Sequence, residues 1–131
     1  MAELNWVARR VAFENDLPTY WGRLCTDMED AVKTYRVYAE AQSATMKVTR
    51  KEDRFRVDFL PSDLTLDSRS IEVQLDRKAW CVTARVEGVE TKRIRFTLSS
   101  DGRAQVRDAA GELMIHDQVS EELLRDFLFP A

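Results

Sequence analysis

The chain has 131 residues, 44% of them apolar and 33% charged, with a formal net charge of −3. That length can bury a sizeable core without metal or disulfide support, and the composition excludes the disordered and collagen-like classes. The small negative charge argues against a dedicated nucleic-acid binder. The longest unbroken apolar run, Ala79-Trp80-Cys81-Val82, is far short of the ~20 residues a membrane-spanning helix needs.

In chain order, the first apolar stripe is Leu4, Val7, Ala8 and Val11, the spacing of a short amphipathic helix. Asn15-Asp16 and Pro18 are expected to interrupt it, because a proline biases its predecessor away from helical geometry. A second helix then starts with Pro18 in its first turn, where a missing N–H costs little. Its stripe runs Leu17, Trp21, Leu24, Cys25, Met28, Val32, Tyr35 and Ala39. Residues 1–42 therefore read as helical.

From 45 to 116 the period changes from helical to alternating, which predicts strands. Seven segments carry the inward sets Met46/Val48, Phe55/Val57/Phe59, Ile71/Val73/Leu75, Trp80/Val82/Ala84/Val86, Ile94/Phe96/Leu98, Ala104/Val106 and Leu113/Ile115. Turns are expected at Glu52-Asp53, Arg77-Lys78, Gly88, Ser100-Asp101-Gly102 and Ala109-Ala110-Gly111, with one long connection from Pro61 to Arg69 pinned by Leu64 and Leu66. A one-residue slip would move a whole apolar set to the wrong face. For Leu98 to share a face with Ala104, the loop between them must hold an odd number of residues. That predicts a three-residue Ser100–Gly102 loop with Gly102 left-handed. The Leu75–Trp80 connection needs an even count, which Asp76–Ala79 supplies as a four-residue loop. The register at Gly88 stays open.

The last element, over 120–129, is a helix with Ser120 as N-cap and Val119 and Leu124 as a hydrophobic staple; Pro130 closes it. The expected fold is α+β over a single domain, 1–131: helices on one face of a curved antiparallel meander of about seven strands, plus a short C-terminal helix. Cys25 falls on a helix stripe and Cys81 on the outward parity of the sheet, so a bridge between them is not expected. Two reduced thiols, and an N-terminus without the charged-then-apolar layout of an export signal, predict a cytoplasmic protein. The pattern contains no metal-ligand spacing, catalytic motif or phosphate-cradling glycine loop, so no cofactor and no metal is expected.

Candidate sites come from residue placement alone. The outward sheet face collects Arg54, Arg56, Arg85, Arg93, Arg95, Arg103 and Arg107, which suits phosphate or an acidic partner. It lacks the outward aromatics of sheet-face RNA binders, and Asp58, Glu72, Asp76 and Glu87 can pair across strands. The inward face would bring Phe55, Phe59, Trp80 and Phe96 against Trp21, Met28 and Tyr35, as a packed core or as a cup for an apolar ligand. His116, the single histidine, neighbours Asp117, but adjacent strand residues point to opposite faces. Asp16 or Asp63 could act with Tyr20 or Tyr35 in a pocket, though nothing in the pattern selects them. Leu123, Leu124, Phe127 and Leu128 give the last helix an apolar face that either docks on the sheet or seals a dimer. Together these predict a non-enzymatic interaction module, homodimeric or with a protein partner, working through the arginine face or the C-terminal helix. The alternative is a small apolar-ligand carrier or pocket enzyme using the cup.

Overall fold

The computed structural model describes residues 5–38, 44–61 and 68–129. Leu4, Ala39, Asp63, Leu64, Leu66 and Pro130 lie outside the described residues. The architecture is α+β: one long helix α1 (Trp6–Tyr38), a five-stranded antiparallel sheet, a three-stranded antiparallel sheet and a helix α2 (His116–Leu128). The large sheet has the order β1 (Ala44–Arg50), β2 (Arg54–Pro61), β3 (Arg69–Asp76), β4 (Cys81–Val86) and β5 (Val89–Arg95). The small one pairs β6 (Thr97–Leu98), β7 (Ala104–Arg107) and β8 (Leu113–Met114). The seven expected segments are thus eight strands in two sheets, and the chain passes from one sheet to the other at Phe96.

The two expected N-terminal helices are one. Pro18 lies inside α1 on its exposed side, at a cost of about 3 kcal/mol for an interior proline. The offset is the burial of Phe13 and Leu17, each about 1.5–3 kcal/mol. Phe13 precedes Leu17 by four residues and so carries the later stripe back through the proline. The first stripe is not the buried one: Val7 and Val11 are half-exposed, while Phe13 packs against Trp80 with ring centroids 4.5 Å apart. Asn5 starts the helix, its side chain accepting the Ala8 N–H at 2.8 Å.

The α1 stripe roofs the large sheet. Leu24, Cys25, Met28, Phe55, Val57 and Val73 have no exposed surface. The Trp21 indole N–H donates to the Glu52 carbonyl at 2.8 Å, so its polar end is satisfied at the Glu52-Asp53 turn. Arg50 ties the edge strand to the same helix through the Gly22 carbonyl at 3.0 Å and Glu29 at 3.2 Å. Cross-strand pairs Val48–Val57, Val57–Ile71, Val73–Ala84 and Val82–Ile94 keep the inward parity across the sheet.

Three turns test parity directly. Leu98 pairs with Ala104, and the Ser99 carbonyl accepts the Gly102 N–H, with Gly102 at φ +86°. That is the expected three-residue loop with a left-handed glycine. The β3–β4 loop has the expected four residues but is shifted by one. Asp76 pairs with Cys81, so the loop is Arg77–Trp80, and Trp80 sits in it at φ +52° instead of in the strand. At Gly88, left open by the pattern, a two-residue turn has both Glu87 (φ +51°) and Gly88 (φ +79°) left-handed, the primed hairpin geometry. A bulge after Ala84 leaves Thr91 unpaired and returns Ile94 to the inward face.

Two expectations near the C-terminus are corrected. Leu113 and Ile115 point to solvent, and Met114 packs on the core, because Val106 pairs with Met114. The reason is an odd loop, Ala109–Gly111, closed by the Asp108 N–H on the Glu112 carbonyl at 2.9 Å. The helix α2 starts at His116, not after Ser120. The Gln118 side chain accepts the Ile115 N–H at 3.0 Å, and Asp117 occupies the positive first turn.

Candidate functional site

The outward face of the large sheet is charged and largely self-matched. One row across the strands reads Arg56–Glu72–Arg85–Glu90. Arg56 reaches Asp58 at 3.0 Å and Glu72 at 3.7 Å; Arg54 lies 3.9 Å from Glu72, and Arg93 2.8 Å from Glu90. Arg85 donates to Gln74 at 3.5 Å. Arg95 stands opposite Cys81 on the same face. Arg103, just before β7, and Arg107, at its end, lie at the small sheet, where they meet Asp101 at 3.4 Å and the Gly111 carbonyl at 2.7 Å. The seven arginines therefore do not form one patch.

The inward aromatics are divided. Trp21, Met28, Phe55 and Phe96 are buried, while Tyr35, Phe59 and Trp80 pack at the edges of the core. Tyr35 meets Phe129 edge-on at 5.4 Å, and Arg69 covers the Phe59 ring at 4.7 Å. Met28 of α1 and Phe55 of β2 have no exposed surface, so side chains fill the space between helix and sheet where they lie.

Two features absent from the sequence reading lie on the helix side. The first is a groove of about 620 Å³ between the C-terminal half of α1 and α2. Ala31, Tyr35, Leu124, Leu128 and Phe129 give it an apolar floor; Asp27, Asp30, Asp117 and Glu121 rim it. Among the described residues its one cation, Arg125, is shared with Glu121 at 3.8 Å and Glu122 at 3.6 Å. The apolar face of α2, from Val119 to Leu128, is docked on its own chain, yet Phe129 beyond it is 66% exposed.

The second is a cleft of about 270 Å³ where α1 passes the small sheet and the start of α2. It brings together Asp16, Tyr20, Arg23 and His116; the sequence offered Asp16 with Tyr20 as one of several pairings and did not place His116 or Arg23 beside them. Tyr20 packs against His116 with centroids 4.3 Å apart and the rings tilted by 39°, and meets Phe96 edge-on at 5.0 Å. Burial, with a contribution from Asp27, pushes the Tyr20 hydroxyl up to about 12. Burial also holds the His116 imidazole below its usual value, opposed by Asp27 and Asp16 and assisted by Arg23. Spacing of four between Asp16 and Tyr20 was the one available signal, since it places both on one helix side.

Among the described residues no helix is long and apolar enough to cross a membrane. Comparison of the chain with protein-family models, curated proteins and solved structures finds no match.

Proposed function

We propose that the protein is a cytosolic interaction module that associates with a second copy of itself through the α1/α2 groove. The observation that carries this is the groove's chemistry: an apolar floor framed by four carboxylates, Asp27, Asp30, Asp117 and Glu121, against one already shared guanidinium. Such a site fits a cationic helix with apolar anchors. The chain displays one. At the start of α1, Trp6 is 74% exposed and Val7 and Val11 about half exposed, beside Arg10, whose guanidinium lies 4.1 Å over the Trp80 ring, and Arg9, half-buried with its Nε enclosed. Arg10 pairs with Glu14 at 3.4 Å, a surface pair worth little on its own. The patch lies some 20 residues before the groove along one helix, about 30 Å away, so it can reach only a neighbour's groove.

Groove-to-groove pairing would oppose like charges, which argues for a contact between unlike surfaces. The outer sheet face is the weaker candidate because most of its arginines already have partners. A cytosolic location is supported by two free, buried cysteines, Cys25 and Cys81.

Native mass spectrometry in a volatile salt series tests this. Wild type is expected to populate dimers and larger species that dissociate as salt rises, and Asp30→Lys/Glu121→Lys to remain monomeric with an unchanged circular dichroism spectrum. A wild-type monomer overturns self-association. If that monomer still binds a synthetic Leu/Lys amphipathic peptide, the groove belongs to a different protein's helix, and self-association is overturned all the same.

A further inference from the structure

Two buried polar atoms without partners, the Tyr20 hydroxyl and His116 Nε2, belong to residues lining the same cleft. Tyr20 is 7% exposed. Leaving such an atom unpaired costs about 1–3 kcal/mol, so two on packed rings mark a place where a ligand can supply what the chain does not. The next observation is the start of α2. Its N-cap residue, Ile115, lines the cleft and has no side-chain acceptor to offer the first helical amides, which leaves a site of positive potential. Arg23 stands on the wall and makes no ion pair among the described residues. Leu113 and Ile115, both more than half exposed, form an apolar rim beside it.

We propose that this cleft binds a small organic carboxylate, its head group held by the Tyr20 hydroxyl, Arg23 and the α2 N-terminus, its short tail lying along Leu113 and Ile115. The volume, about 270 Å³, is below that of sites for drug-sized ligands and suits a molecule of few heavy atoms. Three carboxylates limit the positive field, and one of them, Asp117, stands in the first turn of α2 itself. Asp16 lines the cleft, but its Oδ2 already accepts the Ala104 N–H at 2.8 Å; Asp27 acts from the neighbouring turn of α1. Arg103 is held by Asp101 at 3.4 Å. With those charges present, a singly charged carboxylate is favoured over a doubly charged phosphate.

Because His116 is the only histidine, its imidazole proton signals report this cleft without overlap. The experiment titrates the full chain with butyrate, butyramide and inorganic phosphate at neutral pH while following those signals. Butyrate is expected to shift them saturably, with butyramide and phosphate at least tenfold weaker. Arg23→Gln and Tyr20→Phe should each weaken butyrate about tenfold or more, the size of one lost hydrogen bond to a charged group. Tyr20→Phe removes a hydroxyl that has no protein partner, so its thermal midpoint should not fall. Absence of a saturable butyrate shift overturns the proposal, as does equal binding of butyrate by both variants. Tighter binding of phosphate than butyrate overturns the carboxylate assignment.

Discussion

The outer sheet face and the α1/α2 side both carry charged groups, and they differ in how far those groups are matched. Across the sheet, Arg56, Glu72, Arg85 and Glu90 alternate in sign, and Asp58 and Glu90 take up arginines at 3.0 and 2.8 Å. Such a surface neutralises itself and needs nothing else to be stable in water. On the helix side, only Glu121 of the four groove carboxylates reaches an arginine among the described residues, and the cleft leaves a tyrosine hydroxyl and an imidazole nitrogen without partners. Local mismatch, more than charge density, separates a surface that can take a ligand from one that only stays soluble.

The largest test of this contrast removes the scaffold beneath the helix side. Phe13→Ala deletes a side chain with no exposed surface that stacks on Trp80. The expected loss is about 3–5 kcal/mol, read by urea denaturation. A loss under about 1 kcal/mol would mean the first turns of α1 do not pack as described.

Next in size is the pH response. The folded-state His116 is depressed below 6.5, so the unfolded chain takes up that proton first as pH falls. Stability should be full above about 6.5 and decline below it. Tyr20, raised to about 12 in the fold, acts at the other end: stability declines as pH rises past its ordinary value near 10. His116→Gln should flatten the acid limb, and Tyr20→Phe the alkaline one. Denaturation midpoints across pH measure both.

The smallest effect is expected on the sheet. Glu72→Gln removes the partner of Arg54 and Arg56 and should cost less than about 1 kcal/mol, leaving self-association unchanged. A large change in association from this variant would return the sheet face to the front.

The sheet was legible because alternation and parity act locally. The Leu98–Ala104 pairing and the left-handed Gly102 followed from counting residues in a loop. The same count, applied to Ala109–Gly111, selects Met114 over Leu113 and Ile115; the error was in choosing the more apolar pair. The bulge at Thr91 left no trace in composition, so the Gly88 register could not be read. Pro18 misled because its local cost was weighed without the burial of Phe13, a long-range contact. Gly102 also records such a contact: a Cβ there would stand 2.6 Å from that of Ala12. The groove and the cleft escaped for the same reason, each joining residues of α1 to residues roughly ninety positions later. Asp16 could be paired with Tyr20, as one option among several, but nothing local placed His116 beside them.

On the proposed function, two unlike surfaces of the chain, the Trp6 end of α1 and the acidic groove, recognise each other across copies. Mixing two variants tests it most directly: Trp6→Glu, which keeps the groove, and Asp30→Lys/Glu121→Lys, which keeps the Trp6 end. Each alone should be monomeric by native mass spectrometry, and an equimolar mixture should yield a one-to-one heterodimer and nothing larger. A mixture that stays monomeric while wild type associates would contradict the account.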